Sequence, residues 1–247
     1  MTPITAVLIP GNMCDARLWN GNEGALAHIL QARGIAIVHV DATHDETIVA
    51  MAERALAAAS GILLPIGFSM GANVAIEMAR REPERLAGLV LIDFNAGPDF
   101  PERAALRPGQ QIRVHDGELA NIVTNELKPA YLAAANRADG ETPLKKLLLD
   151  MAEALGPTVF CQQSEALRTR ADGHGVLASF SRPVLLLAGE EDALCPPDLH
   201  RATAATLAAA TLILVPGAGH MLPLEQPAAM ASAIAGWIDN HRGELNR

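Results

Sequence analysis

Ile62-Leu63-Leu64-Pro65-Ile66-Gly67-Phe68-Ser69-Met70-Gly71 is the stretch on which the fold turns. An apolar run ends in G-x-S-x-G and residues 70–81 continue with helical periodicity, so the serine falls where a buried strand meets a helix. A serine at such an elbow takes a strained backbone, and its flanking positions must be small, a demand that Gly67 and Gly71 meet. The turn points the Ser69 hydroxyl out of the sheet. The following helix sets amide N–H groups and a positive dipole end beside it.

Outward from the elbow the same alternation repeats. Strand patterns cover residues 5–9, 35–40, 62–68, 86–92, 184–188 and 211–215, and helical patterns cover 24–33, 46–59, 70–81, 198–208 and 227–241. This rhythm predicts an α/β fold with a doubly wound, mostly parallel six-stranded sheet and helices on both faces. With 247 residues, 50% hydrophobic and only 3% aromatic, the chain can bury a large aliphatic core in a single domain.

The rhythm lapses once. Between residues 97 and 180 no strand pattern occurs, only helical segments broken at prolines and glycines, among them Pro108, Pro129, Gly156 and Pro157. A compact domain rarely carries so long a segment as bare loop. We therefore expect a helical lid inserted after the fourth strand, with residues 1–96 and 181–247 forming the core. The plainer alternative is a helical subdomain remote from the chemistry.

The net charge of −9, with no basic run and few aromatics to stack bases, excludes a nucleic-acid platform. Apolar runs are strand-sized, far short of a bilayer span, and the N-terminal stretch from Met1 lacks the basic region of a signal peptide, so a cytoplasmic location without membrane contact is expected. Cys14, Cys161 and Cys195 are widely spaced and show no C-x-x-C, which predicts reduced thiols and neither a disulfide framework nor a metal site. No cofactor is called for, and the oligomeric state is left open.

A serine hydroxyl is a weak nucleophile until a base takes its proton. Of eight histidines, His28 and His39 lie within regular elements, His44 in a polar turn and His241 at the frayed end, while His115, His174 and His200 fall in or near the insertion or on a helix. His220 stands apart, in Val215-Pro216-Gly217-Ala218-Gly219-His220, a Gly-rich loop directly after the last strand and at the sheet edge where the elbow emerges. The acid that orients it is expected after an intervening strand, where Gly189-Glu190-Glu191-Asp192 offers three carboxylates. Asp192 is the choice, and it gives the order Ser69, Asp192, His220 that this fold is expected to show. Asp93, just after the fourth strand, is the rival.

Acyl transfer also needs donors for the oxyanion. The N–H of Met70, next after the serine, supplies one. The loop after the first strand, Ile9-Pro10-Gly11-Asn12-Met13-Cys14-Asp15, supplies the other from Asn12, with Met13 the adjacent possibility. Met13, Trp19, Tyr131 and Met221 are candidate substrate contacts, Trp19 being weighed chiefly as a packing anchor.

With these motifs in place, from Pro10 to His220 and in order, the chain resembles the α/β-hydrolase superfamily. The resemblance extends to the subgroups of bacterial pimeloyl-ester carboxylesterases and C–C hydrolases, and implies a minimal sheet lacking the family's first two strands. Pro10 stands where the family often has histidine, and Ala72 where a second glycine is common. Neither change removes a catalytic group.

The favoured reading is a carboxylesterase acting on a small to medium apolar ester through an acyl-enzyme. C–C bond hydrolysis, lactone opening and perhydrolysis run on the same triad, and a non-hydrolytic ligand receptor keeps the same fold. Dehalogenation is disfavoured, since that chemistry places an aspartate at the elbow. The insertion holds 9 Lys and Arg against 11 Asp and Glu, so its composition offers no basic excess for an acidic acyl carrier.

Overall fold

The computed structural model describes residues 3–137 and 140–245; Met1 and Thr2, which open the N-terminal stretch, lie outside them. Six strands form one sheet: β1 (Ile4–Ile9), β2 (Ala36–His39), β3 (Ile62–Phe68), β4 (Leu89–Ile92), β5 (Val184–Gly189) and β6 (Ala210–Val215). Their order is β2-β1-β3-β4-β5-β6, and every pairing is parallel rather than mostly so.

Side chains alternate between two cores because successive residues of a strand face opposite sides. Ala6 and Leu8 of β1, Ile66 and Phe68 of β3, and Leu185 and Leu187 of β5 enter one cluster. There they meet Leu26 and Leu30 of α1 (Gly21–Ala32), and Ile234 and Trp237 near the C-terminus. Val7, Ile9, Leu63 and Leu186 enter the other cluster, against Met51 of α2 (Ile48–Ala57) and Val74 and Met78 of α3 (Met70–Arg81). Both faces being covered, the strands read as apolar runs without polar alternation.

Most expected elements shift by a few residues at their ends, the helix expected over 198–208 stopping at Ala204, and the largest change in a strand is at β4. The strand predicted over 86–92 is regular only from Leu89, with a single bridge from Leu86 to Leu63 before it. Leu63 O accepts from Ala87 N and Ser69 N donates to Ile92 O, so the odd-numbered residues of β3 face β4. Pro65 falls on that side and has no N–H to give. The ladder opens opposite it and closes again at Ile66.

The segment between β4 and β5 holds helices joined by irregular stretches and no strand among its described residues. It comprises α4 (Pro101–His115), α5 (Leu119–Ile122) running into a π-turn at Val123–Leu127, short 3-10 turns at Lys128–Ala130 and Ala134–Asn136, α6 (Pro143–Arg168) and α7 (His174–Ser179). Gly156 breaks α6 with φ 80° just before Pro157, at the expected interruption. After β5 follow α8 (Pro197–Ala204), α9 (Leu222–Glu225), α10 (Pro227–Asn240) and α11 (Arg242–Leu245). Among the described residues no helix is long and apolar enough to cross a membrane, and all three cysteines are free thiols.

The strand order reverses between β1 and β3. In open parallel sheets the crevice beyond the C-terminal strand ends forms at that point. The loop after β1 and the Ser69 elbow both open there.

Candidate active site

Ser69 sits between β3 and α3 with φ 52° and ψ −112°, a conformation that a residue with a side chain adopts only when its surroundings force it. The glycines explain how the turn fits. A Cβ on Gly67 would run into the Gly71 carbonyl, and one on Gly71 into the Ile9 carbonyl. α3 can therefore start against the loop after β1 only because both positions lack a side chain, and this brings the Asn12 and Met70 amides to one cavity with Ser69.

His220 Nδ1 lies 2.9 Å from Asp192 Oδ2, and its Nε2 lies 3.0 Å from Ser69 Oγ. Asp192 is 3% exposed, and burial alone would push its pKa up. The facing His220 and the N–H groups of Cys195 and Leu194, at 2.8 and 2.7 Å from Oδ1, outweigh that and hold the carboxyl below its ordinary value. An ionised Asp192 only accepts, so the Nδ1 proton is directed to it and the Nε2 lone pair is left for the Ser69 proton. The ring packs 5.3 Å from Phe68 and 5.6 Å from Tyr131, centroid to centroid.

Asp93, the rival acid, is fully buried at the end of β4, and its Oδ1 accepts from Gly189 N at 2.9 Å. It makes no hydrogen bond to His220, and its Oδ2 has no partner among the described residues. Burial first, and then the neighbouring Asp192 charge, push its pKa well above the carboxylate range. Two carboxylates thus share this end of the sheet with opposed tendencies, the surroundings favouring the charged form of Asp192 and the neutral form of Asp93.

The oxyanion candidates separate equally clearly. Met13 N donates to Gln163 Oε1 at 2.8 Å, and the Asn12 side chain donates to the same oxygen at 3.2 Å. The backbone N–H groups of Asn12 and Met70 have no acceptor among the described residues, whereas that of Met13 is taken. Gln163 is wholly buried on α6, and its Nε2 donates to Ala42 O at 2.9 Å, so one side chain fastens the loop after β1 to the insertion and to the chain after β2. Nothing marked Gln163 in the sequence.

Of the expected substrate contacts, Tyr131 lines the cavity at Ser69, of about 300 Å³, together with Asn12, Met70 and Cys195. Trp19 and Met221 pack in the main core instead, and Met13 packs with Val114, Ile122 and Phe160 beneath the insertion. Segment 131–136 is bound to the histidine loop. Tyr131 O accepts from Met221 N at 3.1 Å, and Glu225 accepts from Ala133 N and Gly219 N, both at 2.7 Å. Asp192, Cys195 and His220 bring potential ligand atoms within 4.8 Å of one another. Asp192 and His220 are committed to each other, however, and burial pushes the Cys195 thiol far up, which also makes it a poor nucleophile.

Comparison with known proteins bears on the family and the fold. The model of the alpha/beta hydrolase family matches residues 6–233. A pimeloyl-[acyl-carrier protein] methyl ester esterase of Neisseria meningitidis is 26% identical over 179 residues, 70% of this chain and 68% of that protein. A haloalkane dehalogenase of Mesorhizobium japonicum is also 26% identical, over 71% of this chain and 62% of its own length. Among solved structures, a thermophilic esterase from Thermogutta terrifontis superposes with a TM-score of 0.85 at 26% identity, covering 97% of this chain and 90% of its own. The chain belongs to the alpha/beta hydrolase family.

Proposed function

We propose that the protein is a serine carboxylesterase in which Ser69 is the nucleophile, His220 the general base and Asp192 the residue that orients the histidine and stabilises the imidazolium formed during the reaction. The observation that carries this reading is the unbroken hydrogen-bond chain from Asp192 through His220 to a strained serine lining a cavity. Ser69 Oγ attacks the ester carbonyl as its proton passes to His220 Nε2. The Asn12 and Met70 N–H groups receive the developing oxyanion, and His220 returns the proton to the leaving alcohol. Water, deprotonated by the same histidine, then releases the acid from Ser69.

Residues 97–180 serve in this reading as the lid that shapes the acyl pocket, held to the catalytic loops through Gln163, Tyr131 and Glu225. A serine at the elbow sets the chain apart from the chemistry named for the dehalogenase relative. Relatives named as esterases support the ester reading over C–C, lactone or perhydrolytic chemistry. A complete hydrogen-bonded triad favours turnover over a ligand receptor. The test is hydrolysis of p-nitrophenyl esters from acetate to decanoate. We expect turnover of the shorter esters and a loss of at least about a thousandfold in Ser69→Ala. Undiminished hydrolysis by Ser69→Ala would refute the mechanism.

A further inference from the structure

The cavity at Ser69 carries a charge that the reaction itself does not need. Arg103 and Arg107 stand one turn apart on α4 and line it, as does Arg170 from the end of α6. Arg170 is spent structurally: it donates to the carbonyls of Gly97, Pro98 and Leu167 and pairs with Asp99 at 3.1 Å. Asp99, buried, also takes Arg107 Nε at 2.6 Å, so one carboxylate serves two guanidinium groups. Glu126, the other acid on the lining, is held by Arg113 at 2.6 Å and by Gln110 at 3.0 Å.

Arg103 has no carboxylate partner among the described residues. It donates one N–H to Leu194 O at 2.8 Å and lies 4.9 Å from the centre of the Phe100 ring. A guanidinium has five N–H donors, so Arg103 keeps several unspent, and Arg107 keeps both of its Nη groups. In a chain of net charge −9, Arg103 without a carboxylate, beside an Arg107 that shares Asp99 with Arg170, leaves the nucleophile's own cavity with an excess of positive charge and donors to spare. Their charge bears on the Tyr131 hydroxyl, whose ring packs against His220, so it reaches the reacting end of the cavity.

We propose, building on the carboxylesterase reading, that the preferred substrate is the half-ester of a short dicarboxylic acid, its free carboxylate seated on Arg103 and Arg107 while the ester carbonyl lies at Ser69. A planar carboxylate matches the guanidinium fork and supplies the missing counter-charge. The step is a plain hydrolysis: the ester C–O bond breaks, a C–O bond forms to Ser69 and then to water, and the alcohol and a dicarboxylate leave with no change of oxidation state. A count over 97–180 concealed this, because the acids of the insertion lie largely elsewhere and the arginines converge on the pocket.

The test compares mono-p-nitrophenyl adipate with p-nitrophenyl hexanoate, which differ in the terminal carboxylate. We expect kcat/KM about tenfold or more higher for the charged ester. That preference should collapse in Arg103→Gln and Arg107→Gln, survive in part in Arg103→Lys, and persist in Arg33→Gln, a substitution on remote α1. Hydrolysis of both esters without preference would overturn the proposal and leave the esterase reading standing. So would an Arg103→Gln variant that slows both esters alike, the mark of an arginine that merely props the Leu194 loop. If neither ester turns over, the esterase reading fails, and titration of Ser69→Ala with monomethyl and dimethyl adipate decides the anion site separately. Tighter binding of the monomethyl ester, lost on adding Arg103→Gln, supports it; equal binding overturns it.

Discussion

At the scale of single residues, the site turns on the different fates of two aspartates. Asp93 directly follows β4 and Asp192 stands in the turn after the neighbouring β5, yet only Asp192 faces His220. Asp192→Asn should lower kcat by about 10³–10⁴-fold, because an amide can present its N–H to Nδ1 and reverse the tautomer. Asp93→Asn mimics the neutral form that burial favours, and its kcat should stay within about threefold of the parent. The sign of its pH effect is fixed too. With a folded pKa above the ordinary 3.8, Asp93 contributes stability that is full below that value and lost as pH rises through the folded one. Asp93→Asn should therefore be at least as stable as the parent in urea titrations at pH 8. Ser69, Gly67 and Gly71 were legible because a strained elbow admits few residue types. The choice between two acids was less so, since both follow strands, and only the path of the 189–195 turn aims one at the histidine.

At the scale of elements, α8 shows what a linear pattern hides. The sequence places His200 only in or near the insertion or on a helix; in the fold it is 1% exposed and its Nε2 accepts from Phe94 N at 3.0 Å. It thus supports the turn that carries Asp93. Burial lowers its pKa from 6.5 to about 4. The neutral ring's contribution is complete above about pH 6.5 and is lost as pH falls through 4, a change of roughly 3 kcal/mol by linkage. Urea denaturation of the parent should weaken over that window, and His200→Gln, which retains an acceptor, should show a flatter profile. An equally steep loss in the variant would assign the acid sensitivity to other groups. The strand edges of β4 carry a similar lesson: the residues near Leu86 have strand character, but their partner strand offers a proline where a donor is needed.

At the scale of the whole molecule, the alternating pattern carried the fold because the inner strands are buried on both faces and lie between helical layers, so periodicity records the layers directly. The order of the strands leaves no such trace. It decides that the loops after β1, β3, β5 and β6 converge at the switch point, and four segments far apart in the chain meet there as Asn12, Ser69, Asp192 and His220. The insertion was recognisable as helical and as an interruption. Its docking was not, since that rests in part on single polar contacts such as Gln163 with Met13 and Glu225 with Ala133, whose partners are distant or ordinary-looking in sequence. The same holds for its charges, which are balanced along the chain and unbalanced in the cavity.

The central claim is that this convergence makes Ser69 a nucleophile. Intact-mass and peptide-mapping spectrometry after treatment with a fluorophosphonate tests it most directly. The account predicts one adduct per chain, located on Ser69, absent from Ser69→Ala and formed far more slowly in His220→Ala. A folded protein that stays unlabelled, or an adduct on any other residue, would contradict it.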